Sequence, residues 1–242
     1  MADTKKQGNS SLQTVSRAIQ LLRCFEEGRL QLSLAELTKR MGLNKVTVFR
    51  LAEALEAEGI LAKDPSTAVY RVSYGLIALG RSLLDPDGIA HLARPVLQGL
   101  QEVTGESAML NMRDGDRAVV IAEVSSRRPL RYTVGVGYQA DLRNGAAGLC
   151  ILAQLPEAEL DELLDAPMPT VADGSLPSEA QLRDSLAEIR RNGFAATGGQ
   201  REPDAAGFAA PVFGPEGTAM GSLAVVMPMH RVSEKAFRED CI

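Results

Sequence analysis

From residue 12 to residue 61, apolar positions recur every three or four residues in three runs, each closed by a break. The first run, SLQTVSRAIQLLRCFEEG, sets Leu12, Val15, Ala18, Ile19, Leu22 and Phe25 at helical spacing. This predicts a helix ending near Gly28, behind a polar leader at residues 1–11 that is expected to fray. The second run opens at Ser33, an N-cap with Glu36 three places on to complete a capping box, and carries Leu34, Leu37 and Met41. Within MGLNKVT this pattern stops and a third begins. Gly42 tolerates positive φ, and Asn44 can cap a helix whose buried stripe is Val48, Leu51, Ala52 and Leu55. A rotation of about 100° per residue puts Val46 and Arg50 opposite that stripe, Thr47 and Phe49 on its flanks, and Lys45 in the first turn. Two strand-like runs follow in ILAKDPSTAVYRV, around the turn sequence Asp64-Pro65-Ser66-Thr67. Helix, helix, turn, helix and hairpin make a winged helix-turn-helix. Its third helix enters the major groove by its N-terminal residues while the hairpin lies against backbone phosphates.

SYGLIALGRSLL, residues 73–84, is apolar nearly all round and so needs cover on several sides; it reads as a linker helix that packs on its counterpart in a second subunit. A polar connection, Asp85-Pro86-Asp87-Gly88, comes next. Beyond it, a helix from about Ile89 to Val103 leads into SAMLNMR, the turn Asp114-Gly115-Asp116 and RAVVIAEV, an antiparallel hairpin. PLRYTV predicts a third strand, GVGYQADLRNG a Gly-rich loop and AAGLCILA a helix. PEAELDELL and SEAQLRDSLAEIRRNG predict two more helices, the second capped by Ser178 and stopped by Gly193. GFAAPVFG and TAMGSLAVVMPM, around Pro215-Glu216-Gly217, close the sheet. The whole reads as α+β, with a winged helix-turn-helix at 1–72, a linker helix at 73–87 and a sensor-like domain at 88–242.

Composition agrees with two domains, since 242 residues at 45% hydrophobic content can give each a core. The net charge of −5 conceals a division. Residues 1–84 carry 12 Lys+Arg against 8 Asp+Glu, and residues 85–242 carry 14 against 23, so a polyanionic partner is expected for the first part alone. No apolar run approaches the ~18 residues of a membrane span, and MADTKKQGNSS lacks the apolar stretch of a signal peptide, so a cytoplasmic protein without membrane contact is expected. Cys24, Cys150 and Cys241 are far apart and never paired as C-x-x-C, which suggests neither a disulfide framework nor zinc.

The chemistry then concentrates on the third helix. Lys45 and Arg50 suit phosphate or guanine contacts, Thr47 a phosphate or a thymine methyl, and Val46 a thymine methyl; Asn44 and Phe49 border the same surface. Arg71 on the second wing strand, Lys39 and Arg17 are candidate phosphate contacts. The plain alternative for each is a solvated surface charge. His91 and His230 are too isolated for a metal cluster, no cofactor is expected, and PEAELDELLDA reads as a solvated helix face. GVGYQADLRNG holds G-x-G without the third glycine or the strand-helix-strand context of a dinucleotide site.

These residues resemble the IclR family of bacterial transcriptional regulators over almost the whole chain. SLQTVSRAIQLLRCF, LSLAELTKRMGLNKVTVFRLAEALEAEGIL and YRVSYGLIALG are similar to its DNA-binding half in order and spacing. ARPVLQGLQEVTGESAML, DGDRAVVIAEV, AAGLCILAQLP and GFAAPVF are similar to its effector-binding half, whose fold is GAF-like. The resemblance implies a homodimer, or a tetramer, that binds a DNA operator and a small-molecule effector. Its effector site maps onto Met109, Arg143, Gly145, Ala146, Gly148, Gly207, Ala224 and Val226. There are departures from the family pattern: Leu149 replaces a usual Lys, Gln200 a Glu, Gly207 a small polar residue or Cys, Gly214 an Asp or Asn, and Ala224 and Val226 two serines. Loss of those hydroxyl and thiol partners implies a mainly apolar or aromatic effector. One carboxylate would be held by backbone N–H groups at the start of the Gly145–Ala153 helix, with Arg143 beside it.

Two other classes compete. An enzyme is disfavoured because the chain has no G-x-S-x-G, H-E-x-x-H or P-loop and no Cys with a plausible His nearby. A thiol redox switch needs an exposed, low-pKa cysteine, whereas Cys24 and Cys150 sit in apolar helical patterns.

Overall fold

The computed structural model describes residues 4–25, 30–80, 88–169 and 177–232. The chain divides into two compact units, Met1–Asp85 and Pro86–Ile242. In the first, helices α1 (Thr4–Arg23), α2 (Leu34–Met41) and α3 (Lys45–Ala57) pack with strands β1 (Leu32–Ser33), β2 (Leu61–Lys63) and β3 (Val69–Val72), which form a sheet in the order β1-β3-β2. The boundaries follow from local chemistry. Ser33 Oγ accepts from the Glu36 N–H while the Glu36 carboxylate accepts from the Ser33 N–H, a capping box that starts α2. Gly42 stops α2 at φ 62°, and the Asn44 side chain accepts from the Thr47 N–H at 2.8 Å to start α3. Val48, Leu51 and Ala52 of α3 bury against Leu21, Leu37, Leu61 and Tyr70. Sealing a side chain such as Leu37 from water stabilises by roughly 1.5–3 kcal/mol.

Three details differ from the sequence reading. α1 begins at Thr4, so it includes most of the leader expected to fray; the expected stop at Gly28 lies outside the described residues. Its apolar residues also divide between two faces. Leu21, and Phe25 just past the helix end, are buried, whereas Leu12, Val15 and Ile19 stand 69%, 63% and 48% exposed. Strand β1 was not anticipated, because two residues are too few to show alternation. The linker helix is described only as α4 (Gly75–Leu79); residues 81–87, including most of the polar connection, and Cys241 lie outside the described residues.

The second unit is a six-stranded antiparallel sheet in the order β6-β5-β4-β9-β8-β7, formed by β4 (Ser107–Asp114), β5 (Arg117–Val124), β6 (Gln139–Asp141), β7 (Ala195–Gly198), β8 (Ala205–Phe213) and β9 (Ala219–Pro228). Side chains alternate between its faces. Ala108, Leu110, Ala206, Val225 and Met227 bury against Leu97 of α5 (Ile89–Thr104) on one side. Met109, Val120, Ala209 and Ala224 bury on the other, against α6 (Ala146–Leu152), α7 (Glu157–Leu164) and α8 (Glu179–Asn192). Ser178 and Gly193 cap α8 as expected.

PLRYTV is not a strand. Its backbone is held by side chains rather than by a ladder: the Val134 and Gly135 N–H groups donate to the Glu123 carboxylate at 3.2 and 2.6 Å, and Ser107 Oγ donates to the Tyr132 carbonyl. The third strand of that edge is β6, inside the stretch read as a Gly-rich loop. Strand β7, from Ala195, was also missed.

Candidate DNA-binding and effector sites

The first candidate site lies on α3. Packing Val48, Leu51 and Ala52 inward turns the opposite face to solvent, where Lys45 and Arg50 are exposed and Val46 is 68% exposed. Thr47 is half-buried on one flank and Phe49 is 38% exposed on the other. Asn44 is exposed at the tip, its side-chain oxygen committed to the cap. The remaining candidates sit on other elements: Lys39 exposed on α2, Arg17 half-buried on α1, and Arg71 exposed on β3 with its guanidinium 5.8 Å from the Tyr74 ring. A residue the sequence reading passed over is Lys63. Its ammonium lies 5.9 Å from the Phe49 ring and 5.5 Å from that of Tyr70, joining the base of the wing to the flank of α3. The wing tip is held by hydrogen bonds of its own. Asp64 Oδ1 accepts from Ser66 Oγ at 2.6 Å and from the Ser66 and Thr67 N–H groups at 2.8 and 3.0 Å. These bonds, Ser66 Oγ first, lower the Asp64 carboxyl to about 2.

The second candidate site is a cavity of about 340 Å³ between the sheet and the start of α6. Register explains who lines it. Met109 pairs with Ala224, Gly207 pairs with both Val226 and Thr197, and paired residues share a face, so these five side-chain positions meet under α6. Met109, Gly145, Ala146, Gly207, Ala224 and Val226 all line the cavity. Arg143 and Gly148 do not. The Arg143 guanidinium is spent on Asp141 and on the carbonyls of Leu163 and Ala166. A Cβ at Gly148 would fall 2.6 Å from the Leu142 carbonyl oxygen, so this glycine lets α6 approach that segment.

The start of α6 also differs from expectation. The Gly145 N–H donates to Gln200 Oε1 at 3.2 Å and the Ala146 N–H to Thr197 Oγ1 at 3.0 Å, so donors expected to meet a ligand carboxylate already have side-chain acceptors. Tyr132, Thr133, Tyr138, Gln200, Arg201 and Glu202 complete the polar part of the lining. Sequence reading missed these as lining residues because they lie in irregular segments, where no periodicity reports direction. Burial, aided by the Asp204 and Glu202 carboxylates, pushes the Tyr132 phenol above its ordinary value. Outside the lining, Glu106, 1% exposed, accepts from Arg231 and Arg128 at 2.8 Å each. Cys150 is buried under this site and its thiol is pushed up to about 11 by burial, against the low pKa that redox sensing requires.

Among the described residues there is no cluster of three His, Cys, Asp or Glu side chains placed to hold a metal, and no helix long and apolar enough to cross a membrane.

Residues 14–65 match the IclR helix-turn-helix domain, and residues 82–241 match the C-terminal domain of bacterial transcriptional regulator IclR. The chain is 28% identical over 224 residues to the HTH-type transcriptional regulator XynR of Escherichia coli (strain K12), covering 92% of this chain and 89% of XynR. Among solved structures, an IclR transcriptional regulator from Alicyclobacillus acidocaldarius superposes with a TM-score of 0.80 at 26% identity, over 94% of this chain and 92% of that one. An IclR homolog from Microbacterium hydrocarbonoxydans, complexed with 4-hydroxybenzoate, superposes at 0.77 with 22% identity over 94% of each chain. The relatives are regulators rather than enzymes, and the winged first unit and the α+β second unit are theirs in order and extent. The chain belongs to the IclR family of bacterial transcriptional regulators.

Proposed function

We propose that the protein binds a pseudo-palindromic DNA operator as a homodimer, and that a small, mainly apolar or aromatic metabolite in the cavity of the second unit modulates that binding. The observation that carries the DNA reading is the exposed Lys45, Val46 and Arg50 face at the beginning of α3. Such a helix reads base edges with its first turns, while Lys39, Arg17, Arg71 and the wing contact phosphates. The apolar stripe of Leu12, Val15 and Ile19 on α1, open to solvent in one chain, supports self-association, because exposed apolar patches of this kind mark interfaces. The cavity's Met109, Val134, Ala224 and Val226 favour an apolar ligand body, and the homolog solved with 4-hydroxybenzoate supports an aromatic one. In this reading residues 1–72 bind DNA, 73–87 link, and 88–242 bind the effector.

The test is a titration of DNA from upstream of the protein's own gene. Arg50→Ala weakens binding strongly, whereas Lys39→Ala mainly flattens its salt dependence, since a variant that touches one phosphate fewer displaces about one counterion fewer. Equal affinity of the wild type and Arg50→Ala would refute the groove assignment. Turnover of the bound small molecule would overturn the reading in favour of an enzyme.

A further inference from the structure

The Arg201 side chain lies across the mouth of the cavity. Its aliphatic stem runs over Gly145, where an added Cβ would stand 2.6 Å from Arg201 Cδ, and its guanidinium carbon sits 4.7 Å from the centroid of the Tyr138 ring. Stacking occupies the flat face of a guanidinium and leaves its edge, with the N–H fork, free to donate. Among the described residues no carboxylate lies within ion-pair distance of Arg201, which is half-buried. The other charged lining residue is Glu202, which is exposed and therefore more strongly screened. Two competing donors, the Gly145 and Ala146 N–H groups, are already taken by Gln200 and Thr197.

Resting on the assignment of the cavity as the effector site, we infer that Arg201, braced on Tyr138, is the residue that reads ligand charge there, and that the ligand class is a planar, mainly apolar carboxylate. The ring or hydrocarbon body lies against Met109, Val134, Ala224 and Val226, and the carboxylate meets the guanidinium edge at the mouth. Specificity thus comes from one charge-assisted, bidentate pair at the rim, and the interior selects by shape.

Calorimetric titration of the full chain with benzoate and with benzamide, a charged and a neutral probe of the same shape, tests this. The wild type binds benzoate at least about tenfold tighter than benzamide, a difference within the range of one charge-assisted pair. Arg201→Gln weakens benzoate far more than benzamide, so that the preference disappears, and, since the side chain is half-buried at the surface, it keeps the melting temperature. Arg201→Lys restores only part of it, because the charge returns without the fork. A benzoate preference that persists in Arg201→Gln, or a wild type that prefers benzamide or binds neither probe, overturns the inference. Gly207→Val separates it from the reading it rests on. An added Cβ there meets Ala146 Cβ at an ordinary 3.5 Å and its methyls extend into the space beneath α6; a melting temperature equal to the wild type's checks that the fold is kept. Benzoate binding that survives the filled cavity overturns the effector-site assignment itself; binding abolished by filling but indifferent to Arg201 overturns this inference alone.

Discussion

Arg143 grips both oxygens of Asp141, Nε on Oδ1 at 2.9 Å and Nη2 on Oδ2 at 2.7 Å, and its remaining nitrogen donates to the carbonyls of Leu163 and Ala166. The pair ties the segment before α6 to the end of α7. Burial alone would raise the Asp141 carboxyl, but the hydrogen bonds and charge of Arg143 outweigh it and hold the group below its ordinary value. Arg143→Met leaves a half-buried carboxylate and two carbonyls unpaired, and the second unit loses about 3 kcal/mol. The sign of the pH dependence follows from the depressed folded pKa. The pair's contribution is full above the ordinary carboxylate range and is lost as pH falls through the lower folded value. Urea denaturation of wild type and variant therefore shows a gap at neutral pH that narrows in acid; a constant gap would show that Arg143 acts through packing alone.

Asn44 allows stability and recognition to be separated at one position. Its side chain caps α3 and it stands beside Lys45. Asn44→Ala lowers stability by about 1 kcal/mol, whereas Asn44→Asp keeps the cap and places an anion on the surface proposed to face phosphates. The expected result is a variant that melts like wild type and binds DNA weakly. Unchanged DNA affinity in Asn44→Asp would remove this tip from the interface.

The wing turn carries two opposing features. Asp64 is tied by Ser66 and Thr67, and Ala68 sits at φ 57°, a conformation costly for a residue with a Cβ. Ala68→Gly relieves that strain and gains up to roughly 1 kcal/mol. The Asp64 contribution is complete above its unfolded pKa of 3.8 and disappears as pH drops through about 2. A carboxyl titration followed by NMR places its midpoint near the lower value; a midpoint at the unfolded value would mean that the turn is open in solution.

On α1, Leu12, Val15 and Ile19 form the exposed stripe attributed to self-association. Val15→Glu puts a charge at its centre without touching the Leu21 side of the helix. The expected outcome in sedimentation is a monomeric variant where the wild type is a dimer, with the helical circular dichroism retained. A wild type that is already monomeric at micromolar concentration would exclude the homodimer.

Much of the first unit was legible because its signals are local. The Ser33 and Glu36 box, Gly42, the Asn44 cap and the Val48, Leu51, Ala52 stripe each need only a few consecutive residues to declare themselves, and each stands where the pattern put it. The same holds for Ser178 and Gly193 around α8. Where direction depends on long-range contacts, pattern was not enough. The α1 periodicity could not say that Leu21 would face the core while Leu12, Val15 and Ile19 remained outside.

The sequence by itself determined the order of the helices, the charge contrast between the halves, and which side of α3 faces water. The helices and the exposed side of α3 follow from periodicity and capping within one element, the charge contrast from composition alone. The tertiary structure decided that PLRYTV gives up its ladder to Glu123 and Ser107, that Arg143 is braced on Asp141, and that Gln200 and Thr197 take the first donors of α6. It also set Arg201 on Tyr138, two residues 63 positions apart in the chain. The physical reason is that hydrogen-bonding groups in irregular segments choose partners by where the sheet and α6 bring them, which no local period encodes.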